Sequence, residues 1–175
     1  MNTKLLFSSC LPLMAVLSLS SCDDNMDSID FSFKEPIPAY GSPKSVIKSQ
    51  ETRKLDSETS NILKFKGENA FVAYCSYVFD TFILMEGAVL QFSYYNEVTV
   101  NGTKDYLEQH YTYMGISSDL TTLIYYNTKS VVGVSHSSSL GFHLTYIPNT
   151  PTKTIYDTDI EYYIDQFKKV DALLK

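Results

Sequence analysis

From Phe65 to Ile147 the apolar residues come in runs of ten residues or fewer, separated by short polar or glycine-containing breaks. Runs of that length suit strands better than core helices, so they commit this part of the chain to a sheet. The runs are rich in aromatic and β-branched side chains, which are stiff at χ1 and pack well on a pleated surface. Thirteen of the fourteen tyrosines lie beyond Phe65, which strengthens the strand reading there. AFVAYCSYVF (70–79), AVLQFSYY (88–95), YTYMGI (111–116), LTTLIYYN (120–127), SVVGVSH (130–136) and LGFHLTYI (140–147) each read as a strand. A long buried helix over 70–90 is the competing reading, and the lack of a 3.6 period argues against it.

In VTVNGTK, Asn101 and Gly102 are suited to the two positive-φ positions of a type I′ turn. The pattern predicts a hairpin pairing 97–101 with 103 to about 108. The fold expected is therefore mainly β, an antiparallel β-sandwich or barrel of about seven to eight strands. At the end of the chain the period changes. Ile160, Tyr163, Ile164, Phe167, Val170, Leu173 and Leu174 recur at threes and fours, and Thr158 and Glu161 have capping-box spacing. One C-terminal amphipathic helix over 158–174 should close a single domain of residues 61–175.

The first 21 residues carry one charge, Lys4, followed by an apolar stretch from Leu5 to Leu19 and then Ser20, Ser21 and Cys22. That is the layout of an export signal, and it is too short and serine-rich to span a bilayer comfortably. Leu19-Ser20-Ser21-Cys22 resembles the lipobox of bacterial lipoproteins. Over these 22 residues the resemblance implies that 1–21 are removed and that Cys22 is acylated, tethering the domain to a membrane. Asp23 and Asp24, with Asp27 and Asp30, resemble the surface-export signal of Bacteroidetes lipoproteins, which implies display on the outer face of the outer membrane. Asp27-Ser28-Ile29 resembles an O-glycosylation acceptor at Ser28.

Residues 22–60 read as a tether, acidic at first and then polar and flexible. Pro36, Pro38, Gly41, Pro43 and the run KSQETRKLDSETSN offer little apolar surface to offset the entropy of ordering. Loss of Lys4 with the signal changes the net charge from -6 to -7, and no basic stripe is present, which excludes nucleic-acid binding. With Cys10 removed and Cys22 acylated, Cys75 stands alone and no internal disulfide can form.

The residues that could carry chemistry do not assemble into a reaction. Ser135 beside His136 in GVSHS lacks the glycine and the strand-to-helix turn of a nucleophile elbow. If Ser137 to Ser139 form a hairpin loop, Val134 pairs with Phe142, and His136 and His143 point to opposite faces, too far apart to share a metal ion. His110 has no partner visible in sequence. Asp157 and Asp159, just before a helix, read as caps for free amides. Cys75, with no neighbouring base or cation, reads as a packed thiol. No phosphate-binding loop is present. The expectation is a protein without cofactor, metal site or catalytic residue, and so not an enzyme.

Tyrosine remains. The adjacent pairs Tyr94–Tyr95 and Tyr125–Tyr126 must place one ring on each face if they lie in strands. A flat apolar ring with a hydroxyl suits glycan stacking or a protein interface. Tyr94, Tyr95, Tyr111, Tyr113, Tyr125 and Tyr126 are thus the candidate ligand-binding residues, for a glycan or another apolar-faced nutrient. The role expected is a surface-anchored ligand-binding or accessory module. An envelope assembly subunit, or an inhibitor-like factor holding a protein partner, is the alternative.

Overall fold

The computed structural model describes residues 30–150 and 158–174. The signal, the lipobox with Cys22, the residues Asp23, Asp24 and Ser28, and Asp157 lie outside the described residues. The strands are β1 (Leu55–Glu58), β2 (Ile62–Lys66), β3 (Val72–Phe79), β4 (Met85–Phe92), β5 (Thr112–Ile116), β6 (Thr122–Tyr126), β7 (Ser130–Ser137) and β8 (Gly141–Pro148). The helices are α1 (Lys44–Gln50), α2 (Glu97–His110) and α3 (Thr158–Ala172). All eight strands are antiparallel and form one sheet in the order β1-β2-β3-β4-β8-β7-β6-β5. The mainly β class, the strand number and the terminal helix agree with the sequence pattern. The strands form a single sheet, which is not closed into a barrel.

Side-chain alternation gives the sheet two buried faces. One carries Tyr77, Ala88, Leu90, Leu144 and Tyr146, and is covered by residues 31–40, α1 and α2. The other carries Val78, Val89, Val131 and Ile147, and is covered by Tyr163, Ile164, Phe167 and Val170 of α3. Strands buried on both sides have no polar face, which is why the central runs are almost continuously apolar.

Two of the expected segments are overturned, and each has a packing cause. The segment read as a hairpin around Asn101-Gly102 is the helix α2. Asn96 caps it, its side chain accepting from the Thr99 amide at 2.9 Å, and Thr99, Thr103 and Leu107 form the buried face at i, i+4 and i+8. Gly102 is there because the Phe31 ring lies against it: an added Cβ would sit 2.2 Å from Phe31 Cδ1. Gly102→Ala is therefore expected to destabilise by ~1–3 kcal/mol through overpacking, although alanine favours a helix by about 1 kcal/mol. In a Phe31→Ala background the same substitution should stabilise. Urea denaturation of the four proteins reads the reversal of sign.

The second correction concerns the tether. Residues 31–58 of the stretch expected to be flexible are built into the domain. Phe33 and the fully buried Ile47 belong to the core, and Phe31 meets Phe33, Phe71 and Phe92 ring to ring. Ile37 donates its amide to the Tyr77 hydroxyl at 2.9 Å, and the Gly41 amide bonds to the Met85 carbonyl at 2.9 Å. This strap crosses the sheet from the Phe92 end of β4 to the Met85 end.

In the β7–β8 hairpin, Val134 pairs with Leu144 and not Phe142, because the strands run on to a Ser137–Gly141 pair. Gly141, at φ +65°, closes the three-residue loop. The register differs by two residues, so each side chain keeps its expected face. At the sheet's outermost pairs the register breaks: between Leu55 and Ser57 in β1, and between Tyr113 and Gly115 in β5.

Candidate functional site

The strap, the C-terminal end of α2, the β6–β7 turn and the far end of β8 line an open cleft of about 1230 Å³. Each wall follows from local structure. The prolines Pro36 and Pro38 keep the strap extended. α2 ends at His110, and the chain turns directly into β5, which brings Tyr106, His110 and Tyr111 to one side. In the β6–β7 turn the Asn127 side chain accepts from the Lys129 and Ser130 amides at 2.8 and 2.9 Å, fixing the opposite rim.

Glu35 stands on the strap wall. Its Oε1 accepts from the Tyr111 hydroxyl at 2.6 Å. Burial raises its pKa above the usual carboxylate value, with hydrogen bonds from Tyr111 and Tyr106 and the charges of His110 and Lys129 opposing that rise. The Tyr111 phenol is itself pushed up by burial and by the same carboxylate. Tyr106 is pushed up to about 12 by burial and by Glu35. Its ring is held between Phe33, at 4.5 Å between centroids, and His110, at 4.2 Å. His110 Nδ1–H donates to the Tyr106 carbonyl at 2.8 Å, locking that stack. Behind the strap, the Tyr40 and Ser130 hydroxyls are bonded at 2.8 Å.

Tyr146 lies deepest. It is 2% exposed, and its hydroxyl has no hydrogen-bond partner among the described residues. A buried hydroxyl left unpaired costs about 1–3 kcal/mol, so its persistence at a cleft wall is informative. Burial and the nearby Glu35, Tyr111, Tyr106 and Tyr40 keep it protonated.

The six tyrosines expected to converge do not do so. Tyr111 and Tyr126 line the cleft. Tyr125 is buried in the core on the same face of the sheet as Tyr146 without lining the cleft, and Tyr113 lies edge-on to it at 5.3 Å. Tyr94 and Tyr95 lie in the β4–α2 connection, and Tyr95 stacks on His136 at 4.6 Å by the β7–β8 hairpin, at the opposite end of β7 from the cleft. Glu35, Tyr106 and Tyr146 belong to the site, and the sequence reading did not single them out. The signal for Glu35 is the alternation Phe31, Phe33, Glu35, Ile37, a strand-like spacing hidden among prolines.

The remaining candidates are dispersed. Ser135 Oγ bonds Thr122 Oγ1 at 2.8 Å, and its neighbour His136 points to the other face. His143 is fully buried beneath α3. Its Nδ1–H donates to the Gly141 carbonyl at 2.8 Å, and its Nε2 lies 3.3 Å from Asp171. Burial pushes the Cys75 thiol up to about 12, which removes thiolate character at neutral pH. Glu161 accepts from the Ser118 amide at 3.4 Å, so it links α3 to the β5–β6 turn. Among the described residues no three His, Cys, Asp or Glu side chains are grouped to hold a metal ion.

A raised carboxylate pKa has a defined effect on stability. Above that pKa the folded state carries a poorly solvated charge, and the penalty is relieved as the pH falls towards the ordinary value of 4.5. Glu35→Gln is therefore expected to be more stable than the parent at neutral pH, with the difference closing in acid. Urea denaturation at pH 7 and pH 4 measures it. A residue that lowers stability where it stands is characteristic of binding sites. Comparison with protein-family models, with curated proteins and with solved structures finds no match.

Proposed function

We propose that this chain is a lipid-anchored module displayed on the outer membrane, which binds a ligand of the glycan or nutrient type in the cleft around Glu35 and Tyr146. The observation that carries the reading is the cleft itself, about 1230 Å³, with the Glu35 carboxylate and the rings of Phe33, Tyr106 and Tyr111 in its lining. Concave sites with a few convergent polar groups in an aromatic lining are where small ligands bind. The lipobox-like Leu19-Ser20-Ser21-Cys22 supports the anchor, and Asp23 and Asp24 support outward display. The role is binding and not catalysis. Glu35 is the single carboxylate among the cleft-lining residues, whereas acid–base hydrolysis of a glycoside uses two. Cys22→Ala should release the protein from the membrane fraction, and protease added to intact cells should digest the anchored parent. Ligand is then sought by thermal shift of the full chain, since a ligand that binds only the native state raises Tm with concentration.

One feature favours the second reading, an interaction protein of the envelope. In the β3–β4 loop Phe82, Ile83 and Leu84 are 81%, 51% and 39% exposed, and Ile83 is held at φ +62°. A β-branched residue at positive φ is strained, and strain of that kind clusters at functional positions. Asp80 fixes the loop by accepting from the Phe82 and Leu84 amides at 2.8 Å. Cross-linking on intact cells with Phe82→Ser as the control tests this: a partner lost with that change supports the interaction reading, and an unchanged pattern removes it.

A further inference from the structure

The two ends of the sheet carry different surfaces. One end holds the cleft and the β3–β4 loop with Phe82. The other is built from the β4–α2 connection, the β5–β6 turn and the β7–β8 loop, which the pairing of Thr122 with Ser135 and of Ser135 with His143 sets along one rim. On this rim Tyr94, Val98 and Leu120 are 58%, 48% and 50% exposed. Tyr95, also exposed, reaches across to β7 by stacking on His136. Leu120 is held at φ +58°, where a bulky side chain is strained. Asp119 fixes that turn by accepting from the Ser117 hydroxyl at 2.6 Å and the Thr121 amide at 3.1 Å. One exposed apolar residue needs no explanation, but several along one rim, one of them strained, imply a surface that they meet.

The chain enters the domain at this same end. Phe31, the first residue of the domain, packs on Phe71 just before β3 and on Phe92 at the close of β4. Eight residues separate it from Cys22, and nine Cα-to-Cα steps of at most ~3.6 Å reach roughly 32 Å. The Phe82 loop lies at the far end of β3 and β4, eight residues each, and so roughly 25 Å away at ~3.3 Å per residue. A bilayer that holds Cys22 can meet the Tyr94 rim with the connecting segment slack. It can meet the Phe82 loop only with that segment drawn out along most of its length, at a cost in chain entropy. Tyrosine suits the boundary between lipid and water, because its ring is apolar while its hydroxyl stays wet. The stretches 93–98, 117–121 and 137–140 contain no lysine or arginine, so the contact does not rely on anionic head groups. We propose, resting on the lipid-anchor reading above, that the rim of Tyr94, Tyr95, Val98 and Leu120 rests in the head-group boundary of the bilayer that holds Cys22. The cleft, at the opposite end of the sheet, then opens away from the membrane, on the side from which a ligand arrives.

The chain contains no tryptophan, so a single one introduced at a chosen position is a reporter without background. The full acylated chain carrying Tyr94→Trp, Leu120→Trp or Phe82→Trp is reconstituted into phosphatidylcholine vesicles with and without bromine on the acyl chains, which quenches only an indole that reaches the bilayer. All three substitutions replace exposed side chains, and a Tm equal to the parent's shows that each variant has folded. Emission from positions 94 and 120 should shift to the blue in vesicles and fall on bromination, while emission from position 82 does neither. Positions 94 and 120 left unquenched would overturn the proposal, whether position 82 is quenched in their place or none is, as for a rim that serves a protein partner. Flotation of the same samples reads the anchor separately. A chain that floats with the vesicles no better than Cys22→Ala overturns the anchor reading and the proposal with it, whereas a chain that floats unquenched overturns the proposal alone.

Discussion

Arg53→Ala should destabilise this protein by about 3–5 kcal/mol, the range for removing one partner of a buried ion pair. The Arg53 side chain is 1% exposed. Its Nη1 bonds Glu51 Oε2 at 2.9 Å, its Nε bonds Glu68 Oε2 at 2.6 Å, and its Nη2 donates to the Lys34 carbonyl of the strap. The Glu51 side chain is fully buried and also accepts from the Tyr77 hydroxyl, which in turn accepts from the Ile37 amide. Without the guanidinium, Glu51 is left charged inside the protein and the strap loses its carbonyl anchor. Urea denaturation reads the loss, and an Arg53→Met, Glu51→Leu double variant should recover most of it by removing both charges together. The same cluster makes an acid prediction. Burial acts to raise the Glu51 and Glu68 pKa values, and the hydrogen bonds and charge supplied by Tyr77 and Arg53 outweigh it, so both end below the ordinary 4.5. The stability they contribute is complete above 4.5 and is lost as the pH falls through their lowered values, an acid dependence that Arg53→Ala should flatten.

Phe167→Ala is expected to lower stability by ~3–5 kcal/mol, as for other buried aromatics truncated to alanine. Phe167 is 4% exposed and is the ring of α3 that sits on β7, over Gly133, where an added Cβ would come within 2.8 Å of it. Glycine at 133 lets the helix approach the sheet, and the phenyl ring fills the space that approach leaves. Truncation opens a cavity over Val89, Val131 and Ile147, which α3 otherwise seals. Denaturant midpoints give the size of the effect. Hydrogen exchange should show faster opening of α3 and of its partners in β4, β7 and β8.

What the sequence revealed and what it hid have the same physical origin. The strands are legible because a sheet buried on both faces needs apolar residues at nearly every position of its central strands, and 72–79 provides them. α3 is legible because one face of it meets solvent, so its 3.6 period survives. α2 is not, since its buried face uses the small side chains of Thr99 and Thr103, and its glycine answers to Phe31, some seventy positions earlier. Asn96, the cap, was a local sign of a helix that the Asn101-Gly102 turn signal outweighed. The strap escaped notice because its few apolar residues are spaced among prolines and charges, and composition does not show that Arg53, Glu51 and Glu68 neutralise one another. Of the cleft, Tyr111 and Tyr126 were legible as tyrosines, while Glu35 was hidden within a segment that read as unfolded.

The two irregularities at the sheet's margins have a consequence for how copies of the protein behave when crowded. An open sheet has two unpaired borders, and a straight border invites a neighbour to add its own strand. Here β1 is four residues long and exposed throughout, and both outer pairs, β1 with β2 and β5 with β6, slip register part-way along. A bent border presents its amides and carbonyls out of line, so it does not template a second chain. Packed side by side at high concentration, the molecules should remain separate particles, each keeping its own cleft open.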